Sequence, residues 1–219
     1  MSEQVTELIK AAKTHPDLFK KEYIFTKEES ESIDVLINQL ICDKFNTTKE
    51  KGDALENLIE KIFKKHSVYK VKRNLKTTTN EIDLFLELDF FGNQVNKSIE
   101  KECLPDEVLV ECKNYSTKLE VSWIGKFASL LRVSSLKDGF FVTKKGITGR
   151  HSWDASEGLI RKLALKDGNR ILHFLLEDFI HLQGKTIFDV IKLKKQSLDL
   201  DVDVEKWIES HELESKLQK

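Results

Sequence analysis

The sequence predicts an α/β (α+β) protein in which helices and strands alternate, and three patterns carry this prediction. Apolar residues recur at i, i+3, i+4 and i+7 across residues 52–65, which places them on one face of a helix. Polar and apolar residues alternate from Glu81 to Leu88, as in a strand with one buried face. Residues 139–143 are mainly apolar, which is typical of a strand buried on both faces in a parallel arrangement.

The composition indicates a globular protein and argues against secreted and membrane proteins. The chain has 219 residues, of which 40% are hydrophobic, and its few glycines and prolines indicate a globular protein. It shows no apolar signal-peptide core and no run approaching the roughly 18 to 20 apolar residues that cross a bilayer. We therefore expect a cytoplasmic protein without membrane association. Its three cysteines are widely separated, which favours reduced thiols over disulfides or a zinc site.

Charge is unevenly distributed along the chain, although the formal net charge is only −1. Residues 61–76 contain basic residues and no acidic ones, whereas the region after residue 198 is strongly acidic. The near-neutral total argues against a strongly basic nucleic-acid binder, and a basic run is commonly a solvated face. Nucleic-acid contact through residues 61–76 stays open on this evidence.

The two ends of the chain are predicted to be helical. Residues 1–48 form an amino-terminal helical extension in two pieces that break at Pro16, and residues 181–219 form a helical tail. Thr26 and Glu29 have the spacing of a capping box, followed by apolar residues at helical intervals. We expect the extension to pack on the main domain or on another subunit.

The main domain is predicted to span residues 49–180. Its elements are a helix at 52–65, strands at 67–73, 81–88 and 107–113, a helix at 122–131, a strand at 139–143, a helix at 153–166 and a strand at 170–175. Gly92 and Pro105 are turn-forming residues, which predicts that residues 89–106 close a long hairpin between the second and third strands.

An acid and a base share one face of the third strand. Glu111 and Lys113 flank Cys112, and side chains two residues apart in a strand project from the same face. A solvated surface ion pair would produce the same pattern. The second strand adds Asp83 on the face opposite its leucines, and neighbouring strands lie only about 5 Å apart.

Two carboxylates this close are a natural Mg²⁺ site, in which water and phosphate supply the remaining ligands. Lys113 could orient a water molecule or stabilise charge that develops on phosphate, which is the chemistry of phosphodiester hydrolysis. Glu56 lies at the margin of the apolar stripe of its helix, where a carboxylate can face such a site. A glutamate in the first turns of a helix is also favoured by the helix dipole alone.

Over residues 52–179 the sequence resembles the PD-(D/E)xK nuclease superfamily, and within it the Mrr-like restriction endonuclease branch. The resemblance rests on residues 52–56, 81–83, 110–115 and 139–143. It implies a restriction-endonuclease-like core, with a mixed central sheet flanked by helices, that binds Mg²⁺ and hydrolyses DNA. Mn²⁺ is expected to substitute for Mg²⁺.

Carried onto this chain, the resemblance implies that Asp83 and Glu111 are metal ligands and that Lys113 is the catalytic lysine. Glu56 would be an outer carboxylate that acts through water or a second ion. Two departures stand out. No proline precedes Asp83, and Glu111 stands where branch members often carry glutamine, although glutamate is the commoner form in the superfamily.

DNA is the expected partner. The candidate contacts are Lys72, Arg73, Asn114, Lys144 and Lys145. No separate recognition domain is visible, which favours a structure-directed, nonspecific or partner-guided enzyme over a stand-alone sequence-specific one. Cutting both strands usually calls for two active sites, so a homodimer through the terminal helices is a further expectation. A prokaryotic role in defence or DNA processing is implied only by the resemblance.

Two alternatives stay open. The chain could be a catalytically inactive module that keeps the nuclease fold to bind DNA or a protein partner. It could also be an enzyme that acts on RNA with the same residues.

Overall fold

A five-stranded sheet forms the centre of the protein. The computed structural model describes residues 7, 10, 14–15, 21–76, 81–98, 103–149 and 156–205. The strands are β1 (Tyr69–Lys76), β2 (Glu81–Leu88), β3 (Glu107–Lys113), β4 (Asp138–Thr143) and β5 (Arg170–Leu175), in that order across the sheet. The β1–β2 and β2–β3 pairs are antiparallel, and β4 pairs in parallel with β3 and β5. The predicted mixed sheet is confirmed, and β4 has the parallel neighbours that its apolar sequence predicted.

Helices cover the sheet. They are α1 (Lys27–Ile41), α2 (Thr48–Phe63), α3 (Phe90–Ser98), α4 (Val121–Val133), α5 (Ser156–Asp167) and α6 (Ile187–Glu205), with 3₁₀ turns at Lys65–Ser67 and Leu176–Phe179. The predicted capping box of Thr26 and Glu29 begins α1, and Thr47 with Glu50 forms a second one at α2. In the described ranges, no helix has both the length and the apolarity needed to span a bilayer.

Aromatic contacts assign two helices to opposite faces of the sheet. The ring of Phe63 in α2 lies 5.5 Å from that of Phe140, measured between centroids. The ring of Phe127 in α4 lies 5.4 Å from that of Phe141. Because Phe140 and Phe141 are consecutive residues of β4, their side chains project from opposite faces. The sheet is therefore enclosed between α2 and α4.

The segments outside the predicted main domain share its hydrophobic core. The N–H of Phe25 donates to the carbonyl of Lys185 at 2.9 Å, and its carbonyl accepts from Gly184 at 3.1 Å. Ile33 and Ile37 of α1 are buried in the same cluster as the sheet residues. Contacts thus cross the predicted domain boundaries at residues 48 and 180, and the division itself stays a prediction.

The predicted turn at residues 89–106 is wrong for its first half, which forms α3. The Oδ1 atom of Asp89 accepts the N–H of the next residue at 2.7 Å and so supports the helix start. Gly92 lies so close to Val68 that an added Cβ would be 2.1 Å from the Val68 carbonyl oxygen. Val95, one turn later, is buried. Packing against the chain before β1 therefore stabilises a helix where the local sequence favoured a turn.

Other boundaries differ from prediction by a few residues. The helix predicted from residue 52 begins at Thr48, because Thr47 caps it. The first strand begins at Tyr69 instead of residue 67, since the preceding residues form a 3₁₀ turn. The predicted break at Pro16, the helix start at residue 153 and the tail beyond residue 205 lie outside the described residues.

Candidate functional site

Three of the predicted site residues meet at the carboxyl end of β3. The Nζ atom of Lys113 lies 2.5 Å from Oε1 of Glu111 and 3.4 Å from Oδ2 of Asp83. The sheet register explains this arrangement. Glu111 pairs with Phe141, so it lies on the face covered by α4, and Lys113 follows on that face two residues later. Asp83 reaches them from the antiparallel neighbour β2.

A backbone hydrogen bond fixes the Asp83 carboxylate. The ladder between β2 and β3 ends at the pair Leu84–Val110, and beyond this pair Oδ2 of Asp83 accepts the N–H of Cys112 at 2.7 Å. The same oxygen contacts Lys113. The orientation of Asp83 toward β3 therefore does not depend on the lysine alone.

Burial and charge shift the pKa values of this cluster. The side chains of Asp83, Glu111 and Lys113 are 15–18% exposed. Removal from water raises the pKa of Glu111, and the negative charge of Asp83 raises it further. Burial alone would lower the pKa of Lys113, but the charges of Glu111 and Asp83 outweigh burial and raise it. Lys113 is therefore held as a cation between two acidic side chains.

Glu56 approaches this cluster from α2, on the other face of the sheet. Its Oε2 atom lies 3.0 Å from Nη2 of Arg73, and Arg73 also contacts Glu60 at 3.3 Å. Burial raises the pKa of Glu56, Arg73 opposes this shift, and the charge of Asp83 adds to it. Glu56 is thus electrostatically coupled to Asp83 but lies outside the group of carboxylates that contact Lys113.

The donor atoms fit an open site for a divalent cation. One carboxylate oxygen of Asp83 and one of Glu111 face the same point. The ammonium group of Lys113 occupies that point. Mg²⁺ is commonly bound by one or two carboxylates, with water and substrate phosphate completing its ligands. Among the residues that the structure describes, no three or more His, Cys, Asp or Glu side chains converge as a metal-binding group. The described residues thus offer two carboxylates at one point, and no closed all-protein site.

Two of the predicted nucleic-acid contacts are exposed. Lys145 follows β4 in a loop and is exposed to solvent. Lys72 lies opposite Phe85 in the β1–β2 register, on the sheet face that carries Asp83. Its Nζ atom is 3.2 Å from Glu87 at the surface. Both lysines are available to solvent, and their contact with nucleic acid stays a prediction.

The other three predicted contacts make bonds within the protein. Arg73 is engaged by the acidic residues of α2 described above. Asn114 donates from Nδ2 to the carbonyl of Lys51 at 3.3 Å. Lys144 is buried with Nζ 4.0 Å from Asp43, and burial lowers the pKa of Lys144. Arg73 and Asn114 thus join α2 to β1 and to the end of β3, and Lys144 joins the loop after β4 to the turn before α2.

The interpretation of the sequence missed an aromatic pair beside Lys113. The ring of Tyr115 lies 5.6 Å from that of Trp123, at the start of α4. The Nζ atoms of Lys113 and Lys126 lie 5.5 Å and 5.0 Å from the centre of the Trp123 ring. The position of Tyr115, two residues after Lys113, was the available indication, because residues at this spacing in extended chain share a face.

Comparison with known proteins agrees with this geometry. Residues 47–175, more than half of the chain, match the family model described as restriction endonuclease, an Mrr-type catalytic domain. The match includes the five strands, α2 and α4. No curated protein and no solved structure matches the sequence. The predicted resemblance is confirmed, and the nuclease domain it names contains Asp83, Glu111 and Lys113. The chain belongs to the Mrr-like restriction endonuclease family of the PD-(D/E)xK nuclease superfamily.

Proposed function

We propose that this protein is a Mg²⁺-dependent endonuclease that hydrolyses phosphodiester bonds in DNA. Asp83, Glu111 and Lys113 form its catalytic centre, and Glu56 is an outer carboxylate. The observation that carries the proposal is the convergence of Asp83 and Glu111 on Lys113 within a nuclease domain. Mn²⁺ is expected to substitute, because carboxylate and water ligands suit both ions.

Each side chain has a distinct task in this proposal. Asp83 and Glu111 would hold the ion, and Glu56 would act on it through water. When bound, the ion supplies Lewis acidity at the phosphate and lowers the pKa of coordinated water. Lys113 carries a positive charge because the neighbouring carboxylates raise its pKa. This charge suits the stabilisation of negative charge that develops on the phosphate oxygens.

Cleavage of circular single-stranded DNA and of supercoiled plasmid in Mg²⁺ is compared between wild type and the variants Asp83→Ala, Glu111→Ala and Lys113→Ala. We expect each variant to lose at least about 100-fold in cleavage rate, because removing one preorganised electrostatic group costs about 10²- to 10³-fold. Glu107→Ala is the matched control, since it removes an exposed carboxylate at the other end of the same strand. Thermal unfolding of every variant separates lost chemistry from lost fold. Cleavage at the wild-type rate by folded Asp83→Ala or Lys113→Ala would refute the assignment.

A second candidate function is that of a nuclease-fold module that binds DNA or a protein partner without cleaving. The contacts of Lys113 with both carboxylates favour it, because the ammonium group offsets one of the two negative charges without a metal. The same assay separates the two functions. DNA binding that is insensitive to EDTA, with no cleavage in Mg²⁺ or Mn²⁺, would support the module. RNA substrates in parallel identify an RNA-directed enzyme.

The proposed biological setting is prokaryotic defence or DNA processing, with target recognition supplied by DNA structure or by a partner protein. We further propose a homodimer through the terminal helices, which would bring together two centres for cutting both strands. Leu193 and Leu200 support this arrangement, because both are 67% exposed and lie seven residues apart on α6.

A further inference from the structure

An exposed aromatic pair lies beside the proposed catalytic centre. Tyr115 keeps 45% of its area exposed, although most large apolar and aromatic residues of the described chain are buried. Its ring lies 5.6 Å from that of the half-buried Trp123, with an angle of 46° between the planes. The exposed ring of Tyr115 is therefore supported by the ring of Trp123, which is itself packed at the start of α4.

Positive charge borders this pair. The Nζ atoms of Lys113 and Lys126 lie 5.5 Å and 5.0 Å from the centre of the Trp123 ring. Lys113 thus contacts both the acidic cluster and the aromatic pair. A nucleotide presents a flat ring and a phosphate, and aromatic surfaces with nearby cations bind single-stranded nucleic acid through stacking and charge. The aromatic rings of the pair can thus contact the base of a nucleotide, and the neighbouring lysines can contact its phosphate.

Backbone contacts hold the loop that carries Tyr115. The N–H of Leu119 donates to the carbonyl of Gly146 at 3.0 Å, and the N–H of Thr148 donates to the carbonyl of Leu119 at 2.9 Å. On the other side of Tyr115, Asn114 is bound to α2 through its side chain. Because the loop is anchored at both sides, little ordering is required when a base stacks on the ring.

We propose that Tyr115, backed by Trp123, stacks on an unpaired base next to the phosphate that is cleaved. The preferred substrate is then DNA with exposed bases, and fully paired duplex is disfavoured. In a duplex each base is covered by its neighbours, so a side chain can stack on a base only where the base is unstacked or single-stranded. The inference rests on the proposed function for the position of the phosphate, whereas the stacking contact requires no cleavage.

Binding of a single-stranded probe in EDTA tests the stacking contact without cleavage. The probe is an oligothymidylate of about 12 nucleotides with one central 2-aminopurine, whose fluorescence changes when the base stacks. We expect Tyr115→Ala to bind roughly 5- to 100-fold more weakly than wild type and to lose the fluorescence change, because base stacking is removed. Tyr115→Phe keeps a ring and should bind as wild type. The matching duplex should bind wild type more weakly and be insensitive to Tyr115→Ala.

Phe90 and Phe91 provide a matched control. They are 58% and 54% exposed and their ring centroids lie 5.6 Å apart, but they follow the end of β2 that is remote from Asp83. Phe91→Ala should therefore bind the probe as wild type does.

Three results would overturn the inference: no binding of the probe by wild type, unchanged binding by Tyr115→Ala, or an equal loss in Phe91→Ala. A wild-type protein that binds the probe through Tyr115 but cleaves no DNA would overturn the proposed catalytic function alone.

Discussion

At the scale of single residues, Lys113 links the acidic cluster to the aromatic pair. It contacts Glu111 and Asp83 and lies over the ring of Trp123. Burial disfavours a charged lysine, yet the two carboxylates raise its pKa, and the lysine in turn relieves the repulsion between them. Removing Lys113 leaves two mostly buried carboxylates without their cation, and removing either carboxylate takes away one of the two charges that favour the lysine cation. Substitutions here therefore affect stability as well as chemistry.

Arg73 has a similar relation to Glu56. It contacts Glu56 and Glu60 of α2, so the basic side chain of β1 connects the sheet to the helix that carries the outer carboxylate. The pKa of Arg73 is raised because these carboxylates outweigh the effect of burial. Arg73 thereby holds Glu56 close enough to Asp83 to sense its charge, without bringing it into the ion-paired cluster.

His173 makes the stability of the fold dependent on pH. Its Nε2 atom lies 2.8 Å from Oγ1 of Thr143, and burial, reinforced by Lys194, lowers the pKa of His173 from 6.5 to about 4. Between these two values the unfolded chain binds a proton that the folded protein does not bind. Acid therefore favours unfolding in this window, by up to about 3 kcal/mol. Below a pH of about 4 the folded protein also binds this proton, and the loss of stability from His173 is complete.

When the pH falls from neutral to about 4.5, the free energy of unfolding should decrease less in His173→Gln than in wild type. The reason is that glutamine does not titrate in this range. Gln keeps a hydrogen-bonding group for Thr143. Urea unfolding of both proteins across this range measures the difference in free energy. Parallel pH dependences in the two proteins would show that His173 is not the residue responsible.

At the scale of elements, strand register places the chemistry. The antiparallel β2–β3 pair brings Asp83 to β3, and the parallel β3–β4 pair keeps Glu111 on the face covered by α4. A shift of one residue in either strand would turn its side chains to the opposite face. The alternating burial along β2, and along β3 from Val110 to Lys113, therefore specifies the proposed centre as well as the core.

The helix α3 depends on a close backbone approach. In Gly92→Ala the added Cβ would lie 2.1 Å from the carbonyl oxygen and 2.9 Å from the carbonyl carbon of Val68, and neither atom can rotate away. We expect a loss of about 1–3 kcal/mol in the free energy of unfolding, as for other overpacked sites. Urea unfolding measures the change.

Gly52→Ala in α2 is the control for this substitution. An added Cβ there meets no atom within 4 Å. Alanine is the better helix former, so a gain of about 0.5–1 kcal/mol is expected. Equal stabilities of Gly92→Ala and Gly52→Ala would contradict the packing of α3 against Val68.

At the scale of the whole molecule, the basic run at residues 61–76 is largely balanced by acids from other elements. Its described ion pairs are Lys64–Glu60, Lys65–Glu29, Lys70–Asp89, Lys72–Glu87, Arg73–Glu56 and Arg73–Glu60. These pairs extend from α1 to the start of α3. In the part of the run whose side chains are described, most basic residues thus connect elements of the domain through ion pairs, which leaves less free positive charge for a DNA backbone.

The proposed dimer is also a property of the whole molecule. We expect Leu193→Glu to reduce self-association, because Leu193 is exposed on α6 and a charge would be buried in an apolar interface. Val133→Glu is the control, since Val133 is also apolar and exposed but ends α4, which is not a terminal helix. Sedimentation velocity measures the dimer fraction. A monomeric wild-type protein, or equal loss in both variants, would rule out the dimer through α6.

The sequence by itself determined the fold class, the family and the order of the residues that carry chemistry. Helical periodicity and strand alternation are local patterns, so they could be recognised without knowing what each element contacts. The faces of β2 and β3 follow from the same alternation. Asp83, Glu111 and Lys113 could therefore be grouped before their distances were known, although their catalytic roles stay proposals.

Only the tertiary structure decided which groups each side chain contacts. It showed α3 in place of a turn, Arg73 paired with Glu56, Lys144 buried, and the ring of Tyr115 packed at a tilt against that of Trp123. Each of these features depends on residues that are distant in the chain and become neighbours only when the sheet and helices pack. A local pattern records the face on which a side chain lies, but the partner it meets there is set by the long-range packing.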